Sequence, residues 1–408
     1  MGQSTFPAPS TGASYSSQPP ANASSVLLDG SLVNSTSYST TLTGTGASWL
    51  LYANGAGTTT ITIAGTPYTV TAGSTVGTSA YTGSQSVSVA ASLSSTAPAT
   101  FTASTMPSSS YWYGVTYGNG YFVAVQYSGT TAGAYSTNGT TWTASTMPSA
   151  SLWFGVTYGN GYFVAVQGSG TTAGAYSTNG TTWTASTMPT GAGSTNGWYG
   201  VTYGNGYFVA VATSYTTAGA YSTNGTSWTA STMPSSSSWS GVTYGNGYFV
   251  AVQASGTTAG AYSTNGTTWT ASTMPSAAAW QAVAYGLVGS TNTYVAVTYS
   301  GTTTAAYSTN GTSWTASTMP SSSYWSGVTY GNGYFVAVAY ATTAGAYSTN
   351  GTTWTASTMP SSSNWRGVTY GNGYFVAVQG SGTTAGAYYA FPPLPVAYGI
   401  YNGPTATH

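Results

Sequence analysis

The chain has 408 residues, enough for two or three ordinary domains, or for one large closed architecture with a small companion. It carries one basic residue (Arg366), one acidic residue (Asp29), one histidine (His408) and no cysteine, where globular proteins are about 25% charged. That composition excludes paired-carboxylate glycoside hydrolysis, a Ser-His-Asp arrangement, a zinc or transition-metal cluster and phosphate-neutralising nucleic-acid contacts, and it predicts a protein that is not an enzyme and takes no cofactor or metal.

With 41% hydrophobic and 15% aromatic residues, the chain lacks the signature of charged disorder. No apolar run is long enough for a transmembrane helix. The first residues, Met1-Gly2-Gln3-Ser4-Thr5-Phe6-Pro7, have neither a basic nor an apolar signal region. A place outside the cell would then be reached by lysis, by leaderless export or after removal of a signal.

In chain order, residues 1–24 read as an extended Pro/Ser-rich arm. Residues 25–97 read as a small β-sandwich-like domain, with strand-like runs at Ser25–Leu28, Ser48–Ala53, Thr58–Ala64, Tyr68–Thr71 and Ser86–Ala91. Gly65-Thr66-Pro67 suits a hairpin, and Asp29 in Leu28-Asp29-Gly30 suits a turn. So small a domain behind a flexible arm is expected to anchor.

Residues 98–391 repeat. The tyrosine that opens Tyr-Gly-Asn-Gly-Tyr-Phe-Val-Ala-Val, or its counterpart, recurs at Tyr117, Tyr158, Tyr203, Tyr244, Tyr285, Tyr330 and Tyr370, in steps of 41, 45, 41, 41, 45 and 40 residues. That period suits four-stranded propeller blades. In the first copy, strand A is Gly114 to Tyr117, B is Tyr121 to Val125, C is Ala132 to Ser136 and D is Thr141 to Ser145. Tight turns at Gly118-Asn119-Gly120 and Thr137-Asn138-Gly139-Thr140 join A to B and C to D. Asn-Gly is expected there because both residues tolerate positive φ.

Phe101-Thr102-Ala103-Ser104-Thr105 is a strand D with nothing before it, and the last copy stops after its strand C at Ala385–Tyr388. A ring closed by the N-terminal outer strand explains both ends and removes exposed edges. The predicted fold class is therefore all-β: a seven-bladed β-propeller preceded by the small domain, with residues 392–408 as a C-terminal tail. Seven tryptophans precede strand A, and six sit in strand D (Trp142, Trp183, Trp228, Trp269, Trp314, Trp354) with Phe101 in the seventh place. The strand D set is expected to fill the core between blades.

Tyr-Ser-Thr-Asn-Gly-Thr-Thr-Trp at 135–142 resembles the Asp-box of sialidase-type propellers, Ser-x-Asp-x-Gly-x-x-Trp, with Asn for Asp and one residue fewer. The Trp-x-Gly-Val-x-Tyr-Gly-Asn-Gly-x-Phe-Val-Ala-Val stretch is similar to repeats of bacteriophage tail and fibre proteins and of bacterial surface propellers. The resemblance spans residues 98–391 and implies a virion or surface propeller. Sialidase chemistry, which needs an arginine cluster and a Tyr/Glu pair, is not implied. The turn residues Asn138, Asn179, Asn224, Asn265, Asn310 and Asn350 lie in Asn-Gly-Thr sequences that match the glycosylation sequon; they are read as structural hairpins.

Two places vary from copy to copy: the residues flanking the Trp before strand A, and those after strand B. They lie on the D–A and B–C connections, on one side of the ring. Variable loops on a rigid scaffold are where recognition sits, and neutral aromatic and amide side chains suit a glycan. The candidate ligand-binding residues are Tyr111, Trp112, Tyr113, Gln126, Tyr127 and Phe154, then Gln167, Tyr199, Tyr215, Gln253 and Gln281, then Tyr299, Tyr324, Tyr340, Asn364, Arg366 and Gln379. Arg366, the one cation, is expected to be a solvated loop residue, with ligand contact the alternative.

The expected function is adhesion. Residues 1–97 would dock onto other virion or surface-assembly proteins and the propeller would bind host glycan, without nucleic acid or membrane insertion, in a homo-oligomeric or multi-copy assembly. A purely structural decoration or filament subunit, and a secreted lectin, are the alternatives.

Overall fold

The structure, a computed structural model, describes residues 24–28, 37–54, 58–63, 66–71, 75–77, 81–92, 97–168, 172–190, 197–391 and 396–402. Most of the N-terminal arm, Asp29 and His408 lie outside the described residues. The chain divides into two compact units, Met1–Thr96 with Phe391–His408, and Ala97–Ala390.

In the first unit, strands Ser24–Leu28, Ser37–Asn54, Thr58–Ile63, Thr66–Thr71, Thr75–Gly77, Tyr81–Ser92 and Val396–Asn402 form one hydrogen-bonded set. The long strand changes partner along its length. Its first half pairs with Tyr81–Ser92, the register shifts between Gly44 and Ala47, and its second half pairs with Val396–Asn402. The runs at Ser25–Leu28, Ser48–Ala53, Tyr68–Thr71 and Ser86–Ala91 fall on these strands, as does Thr58–Ile63 of the third run, whose Ala64 lies outside the described residues. The segment expected as a tail instead supplies Val396–Asn402, which pairs with both Ser24–Leu28 and the long strand. Its Tyr/Gly/Ala composition gives little period-2 contrast, so nothing in the sequence marked it.

The second unit is an all-β propeller. Copy one comprises Trp112–Gly118 (A), Tyr121–Gln126 (B), Ala132–Ser136 (C) and Thr143–Thr146 (D), each antiparallel to the next. Thr102–Ser110 pairs with Thr383–Ala390, so the first strand of the unit completes the last sheet. One expectation is corrected. The ladders make six sheets, five of four strands and one of six, rather than seven separate blades. The fifth and sixth copies share the six-stranded sheet because Thr291–Ser308 runs through strands B and C, and Thr315–Gly331 through D and the next A. The pairing of Tyr299 and Tyr324, and then of Tyr324 and Tyr340, carries hydrogen bonding from one copy to the next.

Packing between copies follows from strand B. In Phe122-Val123-Ala124-Val125 successive side chains face opposite sides. Phe122 and Ala124 pack with Trp112, Val376 and Val378, while Val123 and Val125 pack with Met147 at the end of strand D and with Trp153 and Phe163 of the second copy. A strand buried on both faces must be apolar throughout, hence the unbroken run. The tight A–B turns have both Asn119 (φ 46°) and Gly120 (φ 80°) left-handed, as a two-residue hairpin requires. In the C–D turn only Gly139 is left-handed, with φ 72°. Asn138 serves there through its side chain: Oδ1 accepts the backbone N–H groups of Thr140 and Thr141, each at 2.9 Å. Ser136 Oγ accepts the Gly139 N–H at 2.9 Å. The same bonds recur at Asn179, Asn224, Asn265, Asn310 and Asn350.

The strand D tryptophans pack in or against the cores between copies, but a second set is more deeply buried. The fully buried set is the one at the start of strand A: Trp112, Trp153, Trp198, Trp239, Trp280, Trp325 and Trp365. Trp112 is 0% exposed, and its indole N–H donates to the Ser108 carbonyl at 3.2 Å, so it is core and not a ligand contact. In the strand D set Trp142 is buried, and Trp183, Trp228, Trp269, Trp314 and Trp354 are only partly so.

Candidate functional site

Each copy has a register shift at the same point. Trp112 pairs with Gln126 and Gly114 with Val125, leaving Tyr113 as an extra, unpaired residue. The shift recurs after Trp153, Trp198, Trp239, Trp280, Trp325 and Trp365. Such a β-bulge frees one side chain from the ladder and re-aims it. The freed residues are Tyr113, Phe154, Tyr199, Ser240, Gln281, Ser326 and Arg366. The glycine after the bulge, replaced only in the fifth copy by Ala282, lets the copies close up. A Cβ at Gly114 would lie 2.4 Å from the Phe154 carbonyl oxygen, and one at Gly367 would lie 2.6 Å from that of Tyr113, so the last copy abuts the first.

The bulge residues of non-neighbouring copies touch, which places them at the centre of the ring. Tyr113 and Tyr199, from copies one and three, hydrogen-bond through their hydroxyls, and Gln281 of copy five donates to the Tyr199 hydroxyl at 2.8 Å. Phe154 lies between them, edge-on to Tyr113 at 4.9 Å and tilted on Tyr199 at 4.6 Å between ring centroids. Tyr127 joins this cluster 4.7 Å from Phe154. Ser240 and Ser326 turn away, each donating to the backbone carbonyl of the next copy's tryptophan, Trp280 and Trp365.

Arg366 faces the other half. Its guanidinium carbon is 4.3 Å from the ring centroid of Tyr340, 5.2 Å from that of Tyr113 and 5.3 Å from that of Tyr299. Three aromatic faces around one guanidinium are a cation–π arrangement. This corrects the expectation of a solvated loop arginine: the side chain is half-buried. A cavity of about 330 Å³ opens here, lined by Tyr111, Tyr113, Tyr127, Phe154, Tyr340, Asn364, Arg366 and Gly380. A larger depression, about 600 Å³, lies on the outer strands around Ser186 and Trp228 and contains no ionisable cluster. The central cavity is the candidate site because the charge and the copy-specific residues meet there.

Burial pushes the Tyr113 phenol above its ordinary value against the opposing pull of Arg366, and pushes Tyr199 well above it, with Tyr113 adding to the effect. Tyr299 is raised by burial as well, with Arg366 pulling it down. Burial lowers the Arg366 pKa, but the surrounding tyrosines outweigh it and the net direction is upward. The site is one cation among neutral phenols.

The remaining candidates separate into three groups. Tyr111, Tyr127, Tyr215 and Tyr324 are exposed, and Tyr299, Tyr324 and Tyr340 stack in a second aromatic cluster, 5.1 and 5.6 Å apart. Tyr215 is on the B–C loop of copy three with φ 53°. Gln126, Gln167, Gln253 and Gln379 are buried with 0% exposure and offer nothing to a ligand. The amide of Gln126 donates to the Thr130 carbonyl at 2.6 Å and that of Gln253 to the Thr257 carbonyl at 2.7 Å, while Ser128 and Ser255 donate back. Gln379 likewise donates to the Thr383 carbonyl at 3.1 Å. The two variable segments are joined by backbone bonds, from Tyr127 N–H to the Tyr111 carbonyl at 2.7 Å and from Gly380 N–H to the Asn364 carbonyl at 2.8 Å. The residue after each Trp stands out in the sequence by its variation between copies; that it sits on a bulge is visible only in the structure.

The fold defines a β-propeller. No protein-family model matches the chain, and no curated protein matches its sequence. Among solved structures, it is similar to virginiamycin B lyase from Staphylococcus aureus at 14% identity and a TM-score of 0.62, over 71% of this chain and 98% of that one. A catalytically inactive histidine-to-alanine variant of that lyase, solved with quinupristin, has a TM-score of 0.60 at 14% identity, over 71% and 99% of the two chains. YCF48 bound to D1 peptide is similar at 14% identity with a TM-score of 0.56, over 74% of this chain and 97% of that one. The expectation that the chain is not an enzyme is thereby corrected. The fold is shared with a lyase, and scarcity of charge excludes particular charged mechanisms, not enzymes as a class. Among the described residues no helix is long and apolar enough to cross a membrane.

Proposed function

We propose that the propeller is a recognition module that binds a surface glycan in the central cavity, and that residues 1–97 anchor it to an extracellular assembly such as a phage particle. The single observation behind the glycan reading is the cavity of about 330 Å³ walled by Tyr111, Tyr113, Tyr127, Phe154 and Tyr340, with Asn364 and Arg366 as donors. Aromatic faces stack on the apolar faces of sugar rings, and neutral donors and acceptors satisfy hydroxyls. The phage setting rests on the repeat resemblance. Propellers of this fold hold quinupristin in the lyase and a peptide in YCF48, which supports a ligand-holding role. The test is a glycan array with the full chain, followed by titration of Tyr127→Ala. Saturable binding weakened about tenfold by the variant, the expected loss for one stacking contact, supports the reading; no saccharide bound overturns it.

A second reading, a structural subunit that self-associates, is favoured by exposed Tyr215 (68%) and Leu287 (50%) and by the lack of charge repulsion. Sedimentation across a concentration series checks it.

A further inference from the structure

We propose that the ligand of the central cavity carries a carboxylate and that Arg366 selects it, so the site takes acidic saccharides in preference to neutral ones. This rests on the reading of the cavity as a glycan site. Unit 97–390 contains no carboxylate side chain at all, since Asp29 is the chain's one acidic residue and belongs to the other unit. Arg366 therefore has no ionic partner within the propeller. Its charge is met only by ring faces, of Tyr340 at 4.3 Å, Tyr113 at 5.2 Å and Tyr299 at 5.3 Å, and by the Tyr299 phenol oxygen, to which it donates a hydrogen bond. Rings and phenols stabilise a cation without neutralising it.

The guanidinium nevertheless lines an accessible cavity. Gly380 lines the same cavity, alongside the Arg366 stem. A half-buried, unneutralised cation attracts an anion more strongly than the same charge in water. A planar guanidinium matches a carboxylate through two parallel N–H···O bonds. The other side-chain walls are aromatic apart from the neutral Asn364, so a second negative charge would find no cationic partner, and a carboxylate beside an apolar ring face uses the whole site. Uronic and related sugar acids have that chemistry.

The experiment is calorimetric titration of the full chain with three matched oligosaccharides: oligogalacturonate, its methyl ester and the neutral galactose oligomer. A sulfated galactose oligomer is added as a fourth arm. The acid should bind about tenfold or more tightly over ester and neutral oligomer, the size of one charge-assisted contact. Arg366→Gln should collapse that ratio to near one, while Arg366→Lys should keep part of it. The ester comparison alters only the ligand and so stands even if a variant misfolds. Equal binding of acid, ester and neutral oligomer overturns the charge selection and leaves the glycan reading intact. Preference for sulfate over carboxylate overturns the carboxylate assignment. No binding by any of the four overturns the glycan reading for these sugars and the inference with it.

Discussion

Gln281 Nε2 donates a 2.8 Å hydrogen bond to the Tyr199 hydroxyl, tying the third copy to the fifth across the ring. Tyr199 is bonded in turn to Tyr113 of the first. Three odd-numbered copies are thus linked by side chains that backbone pairing alone could never bring together. The link exists because each copy carries a bulge at one position and the residue placed there varies from copy to copy.

That cluster contributes to the alkaline limit of stability, together with Tyr294, Tyr330 and Tyr370, whose phenols burial also raises. Burial raises the phenols of Tyr113 and Tyr199 above their unfolded value, so at high pH the folded state holds protons the unfolded chain has released. Stability from these groups is complete below pH ~10 and falls as pH rises beyond it. With a single Asp and a single His in the chain, little titrates between about pH 4 and 9. Thermal melts should be flat across that window and decline above it, and Tyr199→Phe should lessen the decline. A steep acid transition would contradict this.

The two tryptophan sets should respond differently to truncation. Trp153 is 0% exposed, with its indole N–H bonded to the Ser149 carbonyl at 3.3 Å. Trp153→Ala should cost about 3–5 kcal/mol. Trp183 is only partly buried, and its buried indole nitrogen has no hydrogen-bond partner. Trp183→Ala should cost less than Trp153→Ala. Denaturant melts of the two variants compare them directly, and equal losses would sink the distinction.

In the C–D turns, function of the side chain can be separated from backbone preference. Asn138 Oδ1 accepts from Thr140 and Thr141 N–H groups, each at 2.9 Å, and from the Ser136 hydroxyl at 3.0 Å. Asn138→Ala orphans three donors and should cost about 1–2 kcal/mol. A carboxylate accepts the same three bonds, so Asn138→Asp should keep near-native stability at neutral pH and weaken as pH falls through the carboxyl range. Chemical denaturation at pH 7 and pH 3 measures both.

The fold was legible because the period, the Asn-Gly turns and the unmatched ends repeat the same message several times over. The site was only half legible. Tyr113, Tyr127, Phe154, Tyr199 and Arg366 stood out as copy-specific residues beside uniform ones, and they do converge. Gln126 and Gln379 stood out for the same reason and turn inward, because a side chain at the end of strand B can fold back on its own loop as easily as reach outward. Arg366 read as solvated since its aromatic bed comes from copies five, six and one, whose meeting depends on ring closure and bulge direction. Variation marks where a copy is free to differ; only the backbone shows which way the difference points.

Gln126 gives the last prediction. It is 0% exposed, yet its amide donates to the Thr130 carbonyl at 2.6 Å and its carbonyl accepts from Ser128. Those bonds shape the loop that carries Tyr127 into contact with Phe154, 4.7 Å away. Gln126→Ala would leave the Thr130 carbonyl unpaired and a small cavity behind, costing about 1–3 kcal/mol. The loss should be local: hydrogen exchange should quicken at residues 127–131 and stay slow in strands A and B of the same copy. If exchange instead rose evenly through the copy, Gln126 would be an ordinary core residue and not the anchor of the 127–131 loop.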